Sequence, residues 1–295
     1  MRIALIISAA LVALLLWLIW IIAAKAQQPR RMANPAVPVG RYRSLTFNSG
    51  GIALQAWLLF PDNEMQFRDS SLLPLVIVAH GWGSNRSRVL RYTQPLLDEG
   101  LAVLLYDARS HGDSGAIKAP SALMFRDDIQ AAVLAARKLP DIDPQRIAVL
   151  GHSLGGFGTL LALGAGLPVR AVVTDSMPTR FETMLKADLK RKKLPFFPLG
   201  YFIPAIWLLR AGISRAEYKA AQIPYALAAN EAGAGVPVLM IHSKGDSFIP
   251  ADDLRILAEQ WPVDAFYVEG SGHSQSEQDP RFWSKVIPFL KENLL

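Results

Sequence analysis

The chain has 295 residues, is 51% hydrophobic, carries a formal net charge of +6 and contains no cysteine. That length suits one domain of ordinary enzyme size plus an extension, and the lack of cysteine excludes structural disulfides. Residues 1–43 hold six Lys+Arg and no acid, leaving 25 basic and 25 acidic residues in the remainder. The excess charge therefore belongs to a basic tail suited to anionic lipid, and it argues against a nucleic-acid-binding domain.

In chain order, the first element is an uncharged run from Ile3 to Ala24, interrupted only by Ser8 and carrying Trp17 and Trp20. As a helix it would span about 33 Å, close to the hydrocarbon thickness of a bilayer, with the tryptophans near one interface. Ala24-Lys25-Ala26 resembles a small-residue cleavage site. The run is longer than a secretory h-region, however, and a lysine lies within the site, so a retained anchor over residues 1–26 is expected. The basic residues on its C-terminal flank favour a cytoplasmic domain. Residues 27–41, with Pro29, Pro35 and Pro38, read as an extended spacer.

From residue 42 to 295 the pattern is that of one catalytic-sized domain. Tyr42–Phe47 and Ile52–Phe60 form a predicted antiparallel pair around Asn48-Ser49-Gly50-Gly51. Strand and helix patterns then alternate: Leu75–Ala79, Arg88–Asp98, Ala102–Tyr106, Ala122–Leu139, Ile147–Leu150 and Leu154–Ala165. Short apolar strands between helices argue an α/β fold with a mostly parallel sheet covered on both faces. The alternation breaks at about 177–235, too long for an ordinary connection. This stretch holds Lys186, Lys190, Arg191, Lys192 and Lys193, followed by an apolar segment from Leu194 to Leu209 with three prolines. It reads either as helices packed over a site or as a basic, aromatic surface lying on a membrane.

The chemistry centres on Gly151-His152-Ser153-Leu154-Gly155. A serine between a short strand and a helix rich in small residues sits on a sharp turn, its hydroxyl raised near a helix N-terminus. Such a hydroxyl needs a base, and the base an orienting acid. Among five histidines, His80, His111, His152 and His242 lie at strand ends or in adjoining loops and read as structural. His273 lies in Gly270-Ser271-Gly272-His273-Ser274, between the last predicted strand and the terminal helix from Pro280, where an imidazole can reach across to the serine. Asp246, just after the strand Val236–Ile241, is the preferred acid. Asp252 and Asp253 read as helix N-terminal charges, and Asp175 as a second rival. No cofactor is called for, and no His/Cys/carboxylate cluster has metal-ligand spacing.

These motifs, with His80-Gly81-Trp82-Gly83 and Asp107-Ala108-Arg109-Ser110-His111-Gly112-Asp113-Ser114, resemble the α/β-hydrolase superfamily over about residues 43 to 293, and most nearly its serine-aminopeptidase-like and Bem46-like branches. The resemblance implies a Ser153–Asp246–His273 triad in that chain order and an oxyanion hole from the backbone N–H groups of Trp82 and Leu154. It further implies a lid at about 177–235 and an acyl substrate, small or lipid-like. Ser110 departs from the usual glycine in a loop that is ordinarily structural. The same triad would serve hydrolysis or acyl transfer, and a decayed site would leave a binding scaffold.

Overall fold

The computed structural model describes residues 1–62 and 72–295. Helix α1 (Arg2–Ala26) leads into residues 27–41, which carry neither helix nor strand. Strands β1 (Tyr42–Ser49) and β2 (Ile52–Leu59) form a hairpin. Its two turn residues are Gly50 and Gly51, at φ 55° and 80°. Both central positions lie in the left-handed region, where a tight hairpin of this kind favours glycine. Next come β3 (Leu73–Ala79), a 3-10 turn (Arg86–Tyr92), α2 (Thr93–Asp98) and β4 (Ala102–Tyr106). The single helix expected over 88–98 is thus divided. Asn85 caps the 3-10 turn by accepting from the Arg88 N–H, and Pro95 has no N–H to offer the carbonyl four residues back.

The chain continues with α3 (Ala122–Ala136), β5 (Ile142–His152), α4 (Leu154–Gly164) and β6 (Ala171–Asp175). Four helices follow, α5 (Phe181–Arg191), α6 (Leu199–Ala211), α7 (Arg215–Ala220) and α8 (Ile223–Ala232). Strand β7 (Val238–Ser243), α9 (Asp252–Gln260), β8 (Asp264–Val268) and α10 (Pro280–Leu294) complete the domain.

Among the described residues eight strands form one sheet in the order β1-β2-β4-β3-β5-β6-β7-β8, parallel except where β2 meets β1 and β4. Period-two alternation sends successive residues of β3 to opposite faces. Leu75 and Ile77 join the core with α3 and α4, whereas Val76 and Val78 join the core with α2 and α10. Helix α10 contributes Phe282, Val286, Leu290 and Leu294, four positions at a spacing that keeps one helical face against the sheet. Both faces are therefore covered, and the functional loops collect where the parallel strands end.

A third, separate cluster lies outside these cores. Ile19 and Ala23 of α1 pack with Leu185 and Leu189 of α5 and with Leu199 and Ile203 of α6. The Trp207 indole N–H donates to the Ala23 carbonyl (2.8 Å), and Arg210 reaches the Gln27 side-chain oxygen (2.8 Å). Beyond α1 the extended segment lies along the domain. Arg31 donates to the Gly112 and Ser114 carbonyls, Asn34 to Asp107 and Asp113, and Asn85 to the Met32 and Ala33 carbonyls.

Candidate active site

Strand β5 ends at His152 and α4 begins at Leu154, so the whole reversal falls on Ser153, at φ 54° and ψ −123°. A non-glycine residue in that region is strained, and strain of this kind persists only where the surroundings enforce it. Here they do. A Cβ on Gly151 would stand 2.5 Å from the Gly156 Cα, and one on Gly155 would stand 2.3 Å from the Ala79 carbonyl oxygen. Strand, turn and helix approach too closely for any side chain, which explains the glycines flanking the serine. Ser153 is 7% exposed, and its N–H donates to the Asp175 carbonyl (2.9 Å).

The structure brings Ser153, His273 and Asp246 together from three separate loops. His273 Nε2 lies 2.9 Å from Ser153 Oγ, and its Nδ1 lies 2.6 Å from Asp246 Oδ2. The other carboxylate oxygen accepts from the Phe248 and Ile249 N–H groups at 2.8 and 2.9 Å. A carboxylate accepts only, so the His273 proton belongs on Nδ1, leaving the Nε2 lone pair for the serine hydroxyl proton. Burial alone would push the Asp246 carboxyl up. The adjacent His242 imidazole and the hydrogen bonds from His273 and the Ile249 N–H outweigh it and hold the group well below the ordinary carboxylate range. Asp246 is therefore charged and fixed in orientation.

Gly81 closes the opposite side. A Cβ there would stand 2.8 Å from Ser153 Cβ and 3.3 Å from its Oγ, so the backbone of the His80-Gly81-Trp82 turn abuts the serine. Among the described residues, the Trp82 and Leu154 N–H groups donate to no backbone carbonyl. Both belong to residues next to Gly81 or Ser153 in the chain, and unspent backbone donors are the kind of group that can stabilise negative charge on a reacting oxygen.

The remaining histidines support this geometry. His80 Nε2 accepts from the Ala108 N–H (3.0 Å), so its Nδ1 donates to the Gly81 carbonyl (2.8 Å) and ties β3 to the loop after β4. His152 Nε2 donates to the His273 carbonyl (2.8 Å), and their rings lie 5.0 Å apart. His242 Nε2 donates to the Ile249 carbonyl (2.8 Å) and lies 3.5 Å from Asp246. Phe248 meets the His273 ring edge-on at 5.1 Å. Sequence reasoning missed the roles of His152, His242 and Phe248 around the imidazole. The proximity of His242 and Asp246, four residues apart at one strand end, is the signal that could have found one of them.

The rival carboxylates lie elsewhere. Asp175 is buried, accepting from the Tyr92 hydroxyl (2.5 Å) and from Ser176 Oγ (3.0 Å). Asp252 pairs with Arg255 at the surface. Asp253 differs from the helix-terminus charge expected for it. It is buried and accepts from the Thr179 and Arg180 N–H groups, from the Arg180 guanidinium and from Thr183 Oγ1, fastening α9 to the start of α5. Ser110 takes the left-handed conformation (φ 65°) that a glycine would have served, and its Oγ accepts from the Ile117 N–H.

The sequence pattern of the alpha/beta hydrolase family matches residues 76–285. The chain is 28% identical to YfhR of Escherichia coli O157:H7 over 202 residues, which is 68% of this chain but only 61% of that protein, so it spans about three fifths of that relative's length. It is 29% identical to YqkD of Bacillus subtilis (strain 168) over 225 residues, covering 74% of this chain and 71% of that one. Among solved structures, the esterase Pf2001 of Pyrococcus furiosus superposes with a TM-score of 0.68 at 21% identity, over 91% of this chain and 98% of that one. With that pattern reaching from β3 to α10 across the sheet order and serine turn described above, the chain belongs to the alpha/beta hydrolase family.

Proposed function

We propose that this chain is a membrane-tethered serine hydrolase that opens a carboxylic ester, thioester or amide bond through an acyl-enzyme on Ser153. The observation that carries the reading is the continuous relay from Ser153 Oγ through the His273 imidazole to Asp246, at 2.9 and 2.6 Å. His273 Nε2 takes the serine proton as Oγ attacks the carbonyl carbon, and Asp246 stabilises the resulting imidazolium. The Trp82 and Leu154 N–H groups meet the tetrahedral oxyanion, an effect worth about 3–4 kcal/mol per donor. Collapse expels the leaving group with the proton from His273. Water then attacks the acyl-enzyme with the same imidazole as base, restoring Ser153.

The tether is α1, read as a retained anchor. Its packing supports retention: a cut after Ala26 would remove Ile19 and Ala23 from a cluster shared with α5 and α6. The four helices between β6 and β7 serve as the lid over the site, and the basic residues flanking α1 support a domain on the cytoplasmic side.

The test is labelling of the full chain in detergent with a fluorophosphonate probe, alongside turnover of a short-chain ester. Wild type labels, whereas Ser153→Ala does not and turns over at least about 10⁴-fold more slowly. Absence of labelling in well-folded wild type, or esterase activity retained in the variant, overturns the reading.

A further inference from the structure

Helix α6 is apolar on two faces, and among the described residues only one of them has a partner. Leu199 and Ile203 face the cluster with α1 and α5. Tyr201 and Leu209 are 68% and 71% exposed, with Phe202 and Ala205 also open, and Phe197 just before the helix is 76% exposed. A helix apolar all round is at home inside a protein or in lipid, rather than in water. At 13 residues, α6 is about 20 Å long, too short to cross a bilayer.

Its position names the missing partner. The same helix is hydrogen-bonded to the last turns of α1, whose apolar length has a mean hydropathy of 2.9 and is almost wholly unburied. Trp17 and Trp20 of α1 are exposed, and Arg210 of α6 lies 5.9 Å from the Trp20 ring. With α1 in a bilayer, α6 stands at the level where that helix leaves the hydrocarbon. The charge matches too. Lys190, Arg191, Lys192 and Lys193 are exposed at and just past the end of α5, with Lys25 in the last turn of α1 and Arg30 just beyond it. A groove of about 470 Å³ lies at that basic end, lined by Leu189, Leu194 and Phe196 together with Lys186 and Lys190.

We infer that the outer face of α6 and the basic end of α5 seat in an anionic lipid leaflet beside the anchor, and that the active site draws its acyl substrate from that leaflet. The surface reaches the site directly. The Arg191 guanidinium lies 4.9 Å from the Phe248 ring, which itself meets the His273 imidazole. Aromatic and aliphatic side chains supply insertion, and the cations supply attraction to acidic headgroups. The substrate claim rests on Ser153 being the nucleophile, whereas the seating does not.

The experiment has two arms on the full chain, reconstituted in phosphatidylcholine–phosphatidylglycerol vesicles. Because the protein lacks cysteine, Ala205→Cys offers a unique site for an environment-sensitive fluorophore, with Glu292→Cys at an exposed position of α10 as control. The label at 205 is quenched by nitroxide lipids and shielded from aqueous iodide, and the label at 292 behaves oppositely. Equal iodide access at both positions overturns the seating. So does shielding of 205 from both quenchers, which would mean that a second copy covers the face.

The second arm changes Phe197, Tyr201, Phe202 and Leu209 together to serine. Hydrolysis of a long-chain ester dissolved in the vesicles falls about tenfold or more, while a water-soluble short-chain ester is cleaved at the wild-type rate. An equal rate on both substrates, or an equal loss on both, overturns the substrate route. If wild type cleaves neither ester, the nucleophile assignment has failed, and the fluorescence arm still decides the seating.

Discussion

His80, His111 and His152 all lie buried around the serine turn, and each is held neutral. Burial lowers His80 to about 4, against a weaker opposing hydrogen bond to the Gly81 carbonyl. Burial, reinforced by neighbouring His80, lowers His111 to about 3. His152 is driven well below the ordinary histidine range by burial and by the positive charge of Arg91. In an unfolded chain these imidazoles take up protons as pH falls through about 6.5, whereas the folded chain refuses them until near pH 4 or lower. Their contribution is therefore complete above pH ~6.5 and is lost progressively on acidification. His80 alone accounts for about 3 kcal/mol across that interval. Denaturant midpoints measured against pH should be level with respect to these groups above neutrality and fall below pH ~6.5. His111→Asn, which keeps a donor for the Arg109 carbonyl, should make the decline shallower. An unchanged slope would show that His111 takes its proton equally in both states.

At this scale the sequence was informative where chemistry dictates the local setting. Ser153, Asp246 and His273 each sit just beyond a strand, with glycine beside them, and that pattern could be read from short windows. The contact of His152 with the His273 carbonyl joins residues 121 apart, and the Asp253 bond to Thr179 joins residues 74 apart. No short window contains both partners. A buried aspartate holding another loop also reads, in one dimension, like any acidic residue at a helix start.

The crossing of β5, β3 and α4 governs the elements around the site. Gly155 sits where the first turn of α4 passes over the end of β3. A methyl group at that position would meet the Ala79 carbonyl oxygen at 2.3 Å, and no rotamer change can relieve a clash with backbone. Gly155→Ala should therefore move backbone, costing about 1–3 kcal/mol and tilting α4 so that Ser153 loses its alignment with His273. The expected result is a lower Tm together with a larger relative fall in kcat than in stability. Wild-type activity in this variant would show that the crossing can open without affecting the serine. Alternating apolar strands made the parallel sheet legible, but the division of the 88–98 helix and the early start of β5 at Ile142 were not. The first depends on a side-chain cap, and the second on pairing with Leu73 far along the chain.

For the molecule as a whole, the join between α1 and the domain matters most. Proline and glutamine at 27–41 have the same composition whether a segment swings freely or is bonded along a surface, so the strap formed by Arg31 and Asn34 could not be foreseen. Removing residues 1–26 should leave the two sheet cores intact and uncover Leu185, Leu189, Leu199 and Ile203. Limited proteolysis of the truncated chain should then cut within α5–α6 first and much faster than in the full chain, with the sheet surviving as a resistant fragment. Equal cutting rates would mean that the α1 contact adds nothing to the order of those helices.

The Trp207–Ala23 hydrogen bond joins residues 184 apart. A ribosome adding about 5–20 residues per second reaches Trp207 roughly 10–40 s after Ala23. During that interval the first helix exists without the surface it will rest on, and α5 and α6 emerge only after most of the sheet has been made. Assembly thus returns to the first helix before the last two strands and α10 have been made.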